Sequence, residues 1–299
     1  MKIIHGVGRI KEFCRPVVAL GVFDGLHLGH RNILKAAVKK AAQIKGTSLV
    51  VTFFPHPQGK ESLYSLEHRL RLIAELGVDV CVVINFTRSF AKITAQDFIV
   101  EILIKKICVN FVYVGKNFRF GYKASGDYRL LEASAKKYKF GLKLFKVVKY
   151  AGFSVSSTAI RKLIKDSKIK IAQKLLGRRV SVLGTVIKGS RLGRKLGFPT
   201  ANLMAHHEII PSDGIYAVEV LVFKKKYNGI CYIGKRPTVH LKNRAKRIEV
   251  HLFKFHKNIY GLVLELQFIK LIRLDWKFAN LKDLTSQIQK DVLVCRQIQ

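Results

Sequence analysis

At 299 residues, with 49% hydrophobic and 10% aromatic side chains, the chain can bury two ordinary cores and is neither a disordered nor a fibrous sequence. No apolar run is long enough to cross a bilayer. "MKIIHGVGRIKEF" lacks the apolar stretch of a secretory signal, and the scattered cysteines (Cys14, Cys81, Cys108, Cys231, Cys295) show no CxxC spacing, so a cytoplasmic location is expected and a disulfide scaffold is not. The formal net charge of +36 is spread along the chain, in short runs such as "FKKKY" and "LKNRAKR", so no dedicated nucleic-acid partner is expected and small polyanions are favoured equally.

In chain order, "PVVALGVF", "SLVVTFF", "VCVVINF", "FVYVG" and "LKLFKVV" read as apolar strands. They alternate with helical patterns after His30, in "SLEHRLRLIAELG", in "TAQDFIVEILIKKI" and in "YRLLEASAKKY". That is a βαβ series, predicting a Rossmann-like parallel sheet with helices on both faces and ligands at the carboxyl ends of its strands. "RKLIKDSKIKIAQKLLGRR" reads as a helical connector. From Val180 on, "VSVLGTVI", "GIYAVEVLVF", "YNGICYIG", "IEVHLF" and "VLELQFIKLI" predict a small antiparallel β-barrel. A last helix from about Leu281 closes it, with Leu284, Ile288 and Val292 on one face and Asn280 as cap. The expected fold class is therefore α/β plus β, with domains 1–172 and 173–299.

The first chemistry lies in "GVFDGLHLGHRNIL", residues 21–34. The strand is expected to end at Asp24. Gly21, Gly25 and Gly29 permit a tight turn, and His30 is expected to open the next helix. His27 and His30 then sit among the unpaired N–H groups and positive dipole of a helix N-terminus, where two imidazoles can stabilise charge on a nucleoside triphosphate. A bare HxxH is commonly just a pair of turn histidines. Here strand, glycines and helix agree on a phosphate site.

"GVFDGLHLGH" resembles the nucleotidyltransferase signature of bacterial bifunctional riboflavin kinase/FAD synthetases. That resemblance implies ATP binding by Gly21, Phe23, Asp24, Gly25 and Gly29, and transfer of AMP to FMN with loss of pyrophosphate. Three further segments resemble the same family. "VVTFFPHP" places His56 at the flavin edge, and "VYVGKNFRFGYKASGD" implies flavin contacts by Asn117, Phe118 and Phe120. "SVSSTAIRKL" implies that Ser156, Ser157, Thr158 and Arg161 hold ATP phosphates. Taken alone, SST is an ordinary helix cap and the phenylalanines are ordinary core.

"KGSRLGRKLGFPTANL", residues 188–203, is the most specific segment. Its glycine-rich basic flap is no Walker A loop, so a P-loop kinase is excluded. The Thr200 hydroxyl and Asn202 carboxamide are hard oxygen donors suited to Mg²⁺ on ATP phosphates. The segment resembles the riboflavin-kinase signature, which implies ATP binding by Gly189, Gly193, Arg194, Thr200 and Asn202. In "RIEVHLFKF", Glu249 falls where the family has the base for the ribityl 5′-hydroxyl. Arg273 and the segment from Asp275 to Phe278 fall near the expected flavin end. Three positions depart from the family pattern. Tyr232 of "YIGKRPT" stands for an asparagine, Lys254 for an aspartate, and Phe54 for an acidic residue.

The implied protein makes FMN from riboflavin in the barrel and FAD from FMN in the first domain, using ATP and Mg²⁺. Its partners are riboflavin, FMN and ATP. With these departures, an FAD synthetase with an impaired kinase domain is the alternative within the family, and two readings outside it explain less. A basic nucleic-acid-binding barrel gives "GFPTAN" and Glu249 no task. A nucleotidyltransferase with another acceptor leaves the second half unused.

Overall fold

The computed structural model describes residues 1–10, 12–223, 225–235 and 246–298. Residues 236–238 of "YIGKRPT", 241–245 of "LKNRAKR" and Lys224 of "FKKKY" lie outside the described residues. The chain divides into two compact units, Met1–Ser62 with Leu66–Ser157, and Leu63–Ser65 with Thr158–Gln299.

The first unit runs β1 (Lys2–His5), β2 (Val17–Leu20), α1 (Leu28–Gln43), β3 (Ser48–Phe54), α2 (Leu66–Ala74), β4 (Val80–Asn85) and α3 (Ala95–Asp97). A π-helical stretch, Phe98–Lys106, continues α3. Then come β5 (Phe111–Gly115), α4 (Tyr128–Tyr138), β6 (Gly141–Phe145) and a short hairpin of β7 (Lys149–Tyr150) and β8 (Phe153–Ser154). Six strands pair in the order β1-β4-β3-β2-β5-β6, and every pair is parallel. All four residues of β2 are buried, because helices cover both faces of the sheet. On one face Phe98, Ile102 and Leu131 pack with Val18, Val51 and Val112. On the other, α1 buries Ile33, Leu34, Ala37 and Ala41, the spacing of one helical stripe. The strand order reverses between β2 and β5, which opens a crevice at their carboxyl ends. β1, paired with β4, is an edge strand that the periodicity does not predict.

In the second unit the predicted connector is two helices, α5 (Ser157–Lys165), whose first residue closes the first unit, and α6 (Ile169–Leu176). Ser167 breaks them with a left-handed φ of 54°. Its Oγ bonds the Tyr216 hydroxyl at 2.6 Å and meets the Ser212 hydroxyl, so tertiary hydrogen bonds hold the break open. There follow β9 (Ser181–Ile187), α7 (Leu192–Lys195), β10 (Ala201–Ala205), β11 (Gly214–Val222), β12 (Lys225–Lys235), β13 (Lys246–Leu252), β14 (Val263–Leu274) and α8 (Leu281–Ile298). The strands close an antiparallel barrel in the ring order β10-β13-β12-β11-β14-β9. Along β13, Ile248, Val250 and Leu252 are buried while Arg247, Glu249 and His251 alternate to the other face. Asn280 caps α8 by accepting the Asp283 N–H at 2.9 Å, and Val292 and Cys295 pack with Ile215, Ala217 and Ile230.

Candidate functional site

In the first unit the turn after β2 holds Phe23 (φ 53°), Gly25 (φ 80°) and Leu26 (φ 39°) in the left-handed region. Three such residues fold the chain back within a single step, so that α1 starts at Leu28 with His27 as its cap. This corrects the expectation that His30 opens the helix: His30 lies in its first turn. The His30 N–H donates to His27 Nδ1 at 3.4 Å, so the neutral His27 ring carries its proton on Nε2. The two imidazoles stack at 3.7 Å with 19° between planes, and buried Phe23 meets His30 edge-on at 5.3 Å. A Cβ on Gly29 would lie 3.3 Å from the His27 ring, and one on Gly21 would lie 3.1 Å from the Phe23 ring. Glycine at both positions keeps these rings seated.

Asp24 is buried, and its carbonyl accepts the Ser157 hydroxyl at 2.7 Å. Ser156 and Ser157 thus belong to the same unit as the turn, while Thr158 and Arg161 belong to the other compact unit. At the end of β3, His56 is half-buried and its Nδ1 accepts the Gln58 N–H at 3.1 Å. After β5, Asn117 is exposed and Phe118 is half-buried. Phe120 sits in the core, stacked on Phe118 at 5.6 Å and touching Phe98 at 5.5 Å. The turn, His56 and Asn117 all lie at the carboxyl ends of strands.

Arg69 was not among the predicted site residues. Buried on α2, it donates from Nη1 to the Val22 carbonyl at 2.7 Å and from Nη2 to the Phe53 carbonyl at 3.2 Å. It therefore ties the ends of β2 and β3 together beneath the turn. Burial lowers its pKa, and the charge of Asp24 opposes that shift. The signal for it in the sequence was an arginine on the apolar face of "LEHRLRLIA".

In the second unit the barrel carries a cavity of about 550 Å³. Antiparallel register places Asn202 opposite Glu249, Glu249 opposite Tyr232, Tyr232 opposite Ile215, and Ile215 opposite Arg273. These five residues form one lateral row across β10, β13, β12, β11 and β14, and all but Asn202 line the cavity. Residues separated by 71 positions in sequence, from Asn202 to Arg273, thereby share one level of the wall. The Arg273 guanidinium clamps Asp291 of α8, with Nε at 3.0 Å from both oxygens and Nη2 at 2.8 Å, and lies over Trp276 at 4.6 Å. The Tyr232 hydroxyl donates to Asp275 at 3.2 Å. Burial, followed by the charge of Asp275, pushes its pKa up to about 12.

The predicted flap folds over this row. A Cβ on Gly189 would overlap the Asn202 carboxamide, and one on Gly193 would overlap the Phe198 carbonyl and lie 3.1 Å from Thr200 Oγ1. Gly193 and Thr200 line the first cavity. Arg194, Pro199 and again Thr200 line a second, of about 460 Å³. Thr200 is thus part of the wall of both. His251 donates from Nδ1 to the Pro199 carbonyl at 2.8 Å, which fixes the approach to Thr200; burial lowers its pKa, opposed by that bond. Among the described residues no cluster of three or more His, Cys, Asp or Glu could hold a metal, and no helix is long and apolar enough to cross a membrane.

Comparison with known proteins gives matches to both halves. Residues 10–159 match the FAD synthetase family model and residues 176–299 the riboflavin kinase model. Bifunctional riboflavin kinase/FMN adenylyltransferases of Buchnera aphidicola (35% identical, covering 99% of this chain and 98% of that one) and Escherichia coli K12 (36%, 99% and 97%) align along their whole length. That of Bacillus subtilis is 35% identical, covering 94% and 92%. A solved Streptococcus pneumoniae structure, described as a macrolide-efflux protein, superposes with a TM-score of 0.87 at 30% identity and covers 99% of each chain. The efflux description belongs to that protein.

Proposed function

We infer from this chain, which belongs to the bifunctional riboflavin kinase/FMN adenylyltransferase family, that riboflavin becomes FMN in the barrel and FMN becomes FAD in the parallel-sheet unit. The proposed functional division is 1–172 and 173–299, in the cytoplasm, with riboflavin, FMN and ATP as partners.

The observation that carries the kinase assignment is the double lining by Thr200. An alcohol in the first cavity and a nucleotide in the second would meet there, with Glu249 on the alcohol's side. Glu249 accepts the 5′-hydroxyl proton as that oxygen attacks the γ-phosphorus of ATP and ADP leaves. Thr200 and Asn202, two residues apart on one face, are neutral oxygen donors. They would hold a Mg²⁺ ion at the ATP phosphates. Such an ion would neutralise charge on the phosphate oxygens. Gly189, Gly193 and Arg194 hold the flap over the nucleotide. Arg273, fixed by Asp291, presents Trp276 and Phe278 to the flavin.

In the other unit FMN's phosphate is already an anion, so positioning and charge stabilisation outweigh general base catalysis. His27 and His30 donate to the phosphates of ATP over the first turn of α1. Gly21, Phe23, Asp24, Gly25 and Gly29 shape the turn, and Ser156 and Ser157 hold the leaving pyrophosphate. His56 and Asn117 receive the flavin, with Phe118 offering a ring that Phe120 backs from the core.

Riboflavin, ATP and Mg²⁺ incubated with the protein should yield FAD, separated from FMN by chromatography. Glu249→Ala should make FAD only from supplied FMN, and His30→Ala should stop at FMN. If the wild-type chain turns over FMN but not riboflavin, the kinase assignment fails.

A further inference from the structure

Arg247 has no place in the reaction as described. It precedes Glu249 by two residues on β13, so both side chains leave the strand on the same face, into the first cavity. Its Nη2 lies 2.5 Å from Glu249 Oε1 and donates to the Ser190 hydroxyl of the flap at 3.1 Å. One guanidinium thus joins the proposed base to the flap that closes over the nucleotide. Its charge also reaches across to β12, where it lowers the Tyr232 pKa against the effects of burial and Asp275.

We propose that Arg247 is a second catalytic residue of the kinase site, the counter-ion first of the Glu249 carboxylate and then of the phosphoryl group being transferred. The proposal rests on the kinase reading above. Its basis is conservation of charge. The 5′-oxygen bonds to the γ-phosphorus and its proton passes to Glu249. The bond from that phosphorus to the bridging oxygen breaks, and its electron pair leaves with ADP. Glu249 loses its negative charge in the same step that delivers an anionic phosphate to the oxygen beside it. Protonation leaves the guanidinium bonded to a neutral carboxyl and removes the Coulomb attraction of the ion pair, so its charge is drawn to the new anion forming beside it. Arginine suits such a transfer: its planar fork presents five donors and stays charged throughout. Ser190, on the same nitrogen, keeps the flap in step with the exchange.

The test is steady-state phosphorylation of riboflavin at saturating ATP and Mg²⁺, with riboflavin affinity read separately from flavin fluorescence. Arg247→Met should lower kcat by about 10²-fold, the loss expected for a preorganised donor aimed at developing charge, with riboflavin Kd within about threefold of wild type. Arg247→Lys should recover about tenfold of that loss. Arg247→Gln, which keeps a donor for Ser190 and is the second variant should the methionine fail to fold, should lose as much as methionine. In a Glu249→Gln background, Arg247→Met should add little, because the two act as a unit. An unchanged or raised kcat in Arg247→Gln overturns the proposal, making the ion pair a resting lock. Loss of riboflavin affinity with kcat retained overturns it too, making Arg247 a packing residue. A wild-type chain that does not phosphorylate riboflavin brings down the kinase reading first and this proposal with it.

Discussion

His27 has a backbone role besides the one proposed for it at the ligand. Nδ1 caps α1, and Nε2–H is the atom that the proposed adenylyl transfer would use. Asparagine caps helices well, so His27→Asn should keep the thermal midpoint while adenylyl transfer falls, by about 10²-fold for a lost donor at developing charge. His27→Ala should lose the activity and in addition about 1 kcal/mol of stability. His251 carries a pH signature. Its folded pKa is lowered from 6.5, so between that value and the folded one the unfolded chain binds more protons and stability rises with pH. Thermal unfolding should therefore show a stability loss as pH falls below about 6.5 that His251→Asn lacks. At this scale motifs singled out the candidate site residues. Phe120 was ambiguous, because a phenylalanine reads the same in sequence whether it faces a ligand or Phe98. Arg69 was hidden because one charged residue within an apolar stripe does not announce its partners, two strand-end carbonyls.

Strands in the barrel were legible where they alternate. "RIEVHLF" displays the inward Ile248, Val250 and Leu252 directly. The lateral row from Asn202 to Arg273 was not legible, since register depends on hairpin lengths and on the irregularities between β11 and β14. β1 escaped notice because its four residues include only one buried side chain, Ile4, too few to establish a period. The connector looked continuous because its apolar spacing spans the break, while the contacts of Ser167 come from Ser212 and Tyr216, more than 40 positions on. The flap depends on close approach. Gly189→Ala should push it off Asn202 at an overpacking cost of about 1–3 kcal/mol, raising the KM for ATP in riboflavin phosphorylation by about tenfold or more. Adenylyl transfer from supplied FMN should be unaffected, which a paired assay checks.

Over the whole molecule, the change from βαβ to strand-rich sequence revealed two bodies. The three-residue excursion Leu63–Ser65 left no trace in composition. Those residues belong to the barrel unit although the chain on either side of them belongs to the other. The Ser65 N–H donates to Glu208 Oε1 at 3.0 Å, the Leu183 N–H donates to Oε2 at 2.9 Å, and Tyr64 is buried with Arg178 over its ring at 4.9 Å. Glu208→Ala strands the buried Leu183 N–H at about 1–3 kcal/mol and removes the acceptor of the half-buried Ser65 N–H, so calorimetry should show a lower midpoint for the barrel transition. The backbone therefore passes between the bodies three times, after Ser62, Ser65 and Ser157. A protease that nicks one crossing leaves the others intact. A gene divided near residue 157 would yield a kinase lacking three residues that only its former partner encodes. A split there would cost the barrel unit the Tyr64 ring and the Ser65 N–H that pack and bond within it.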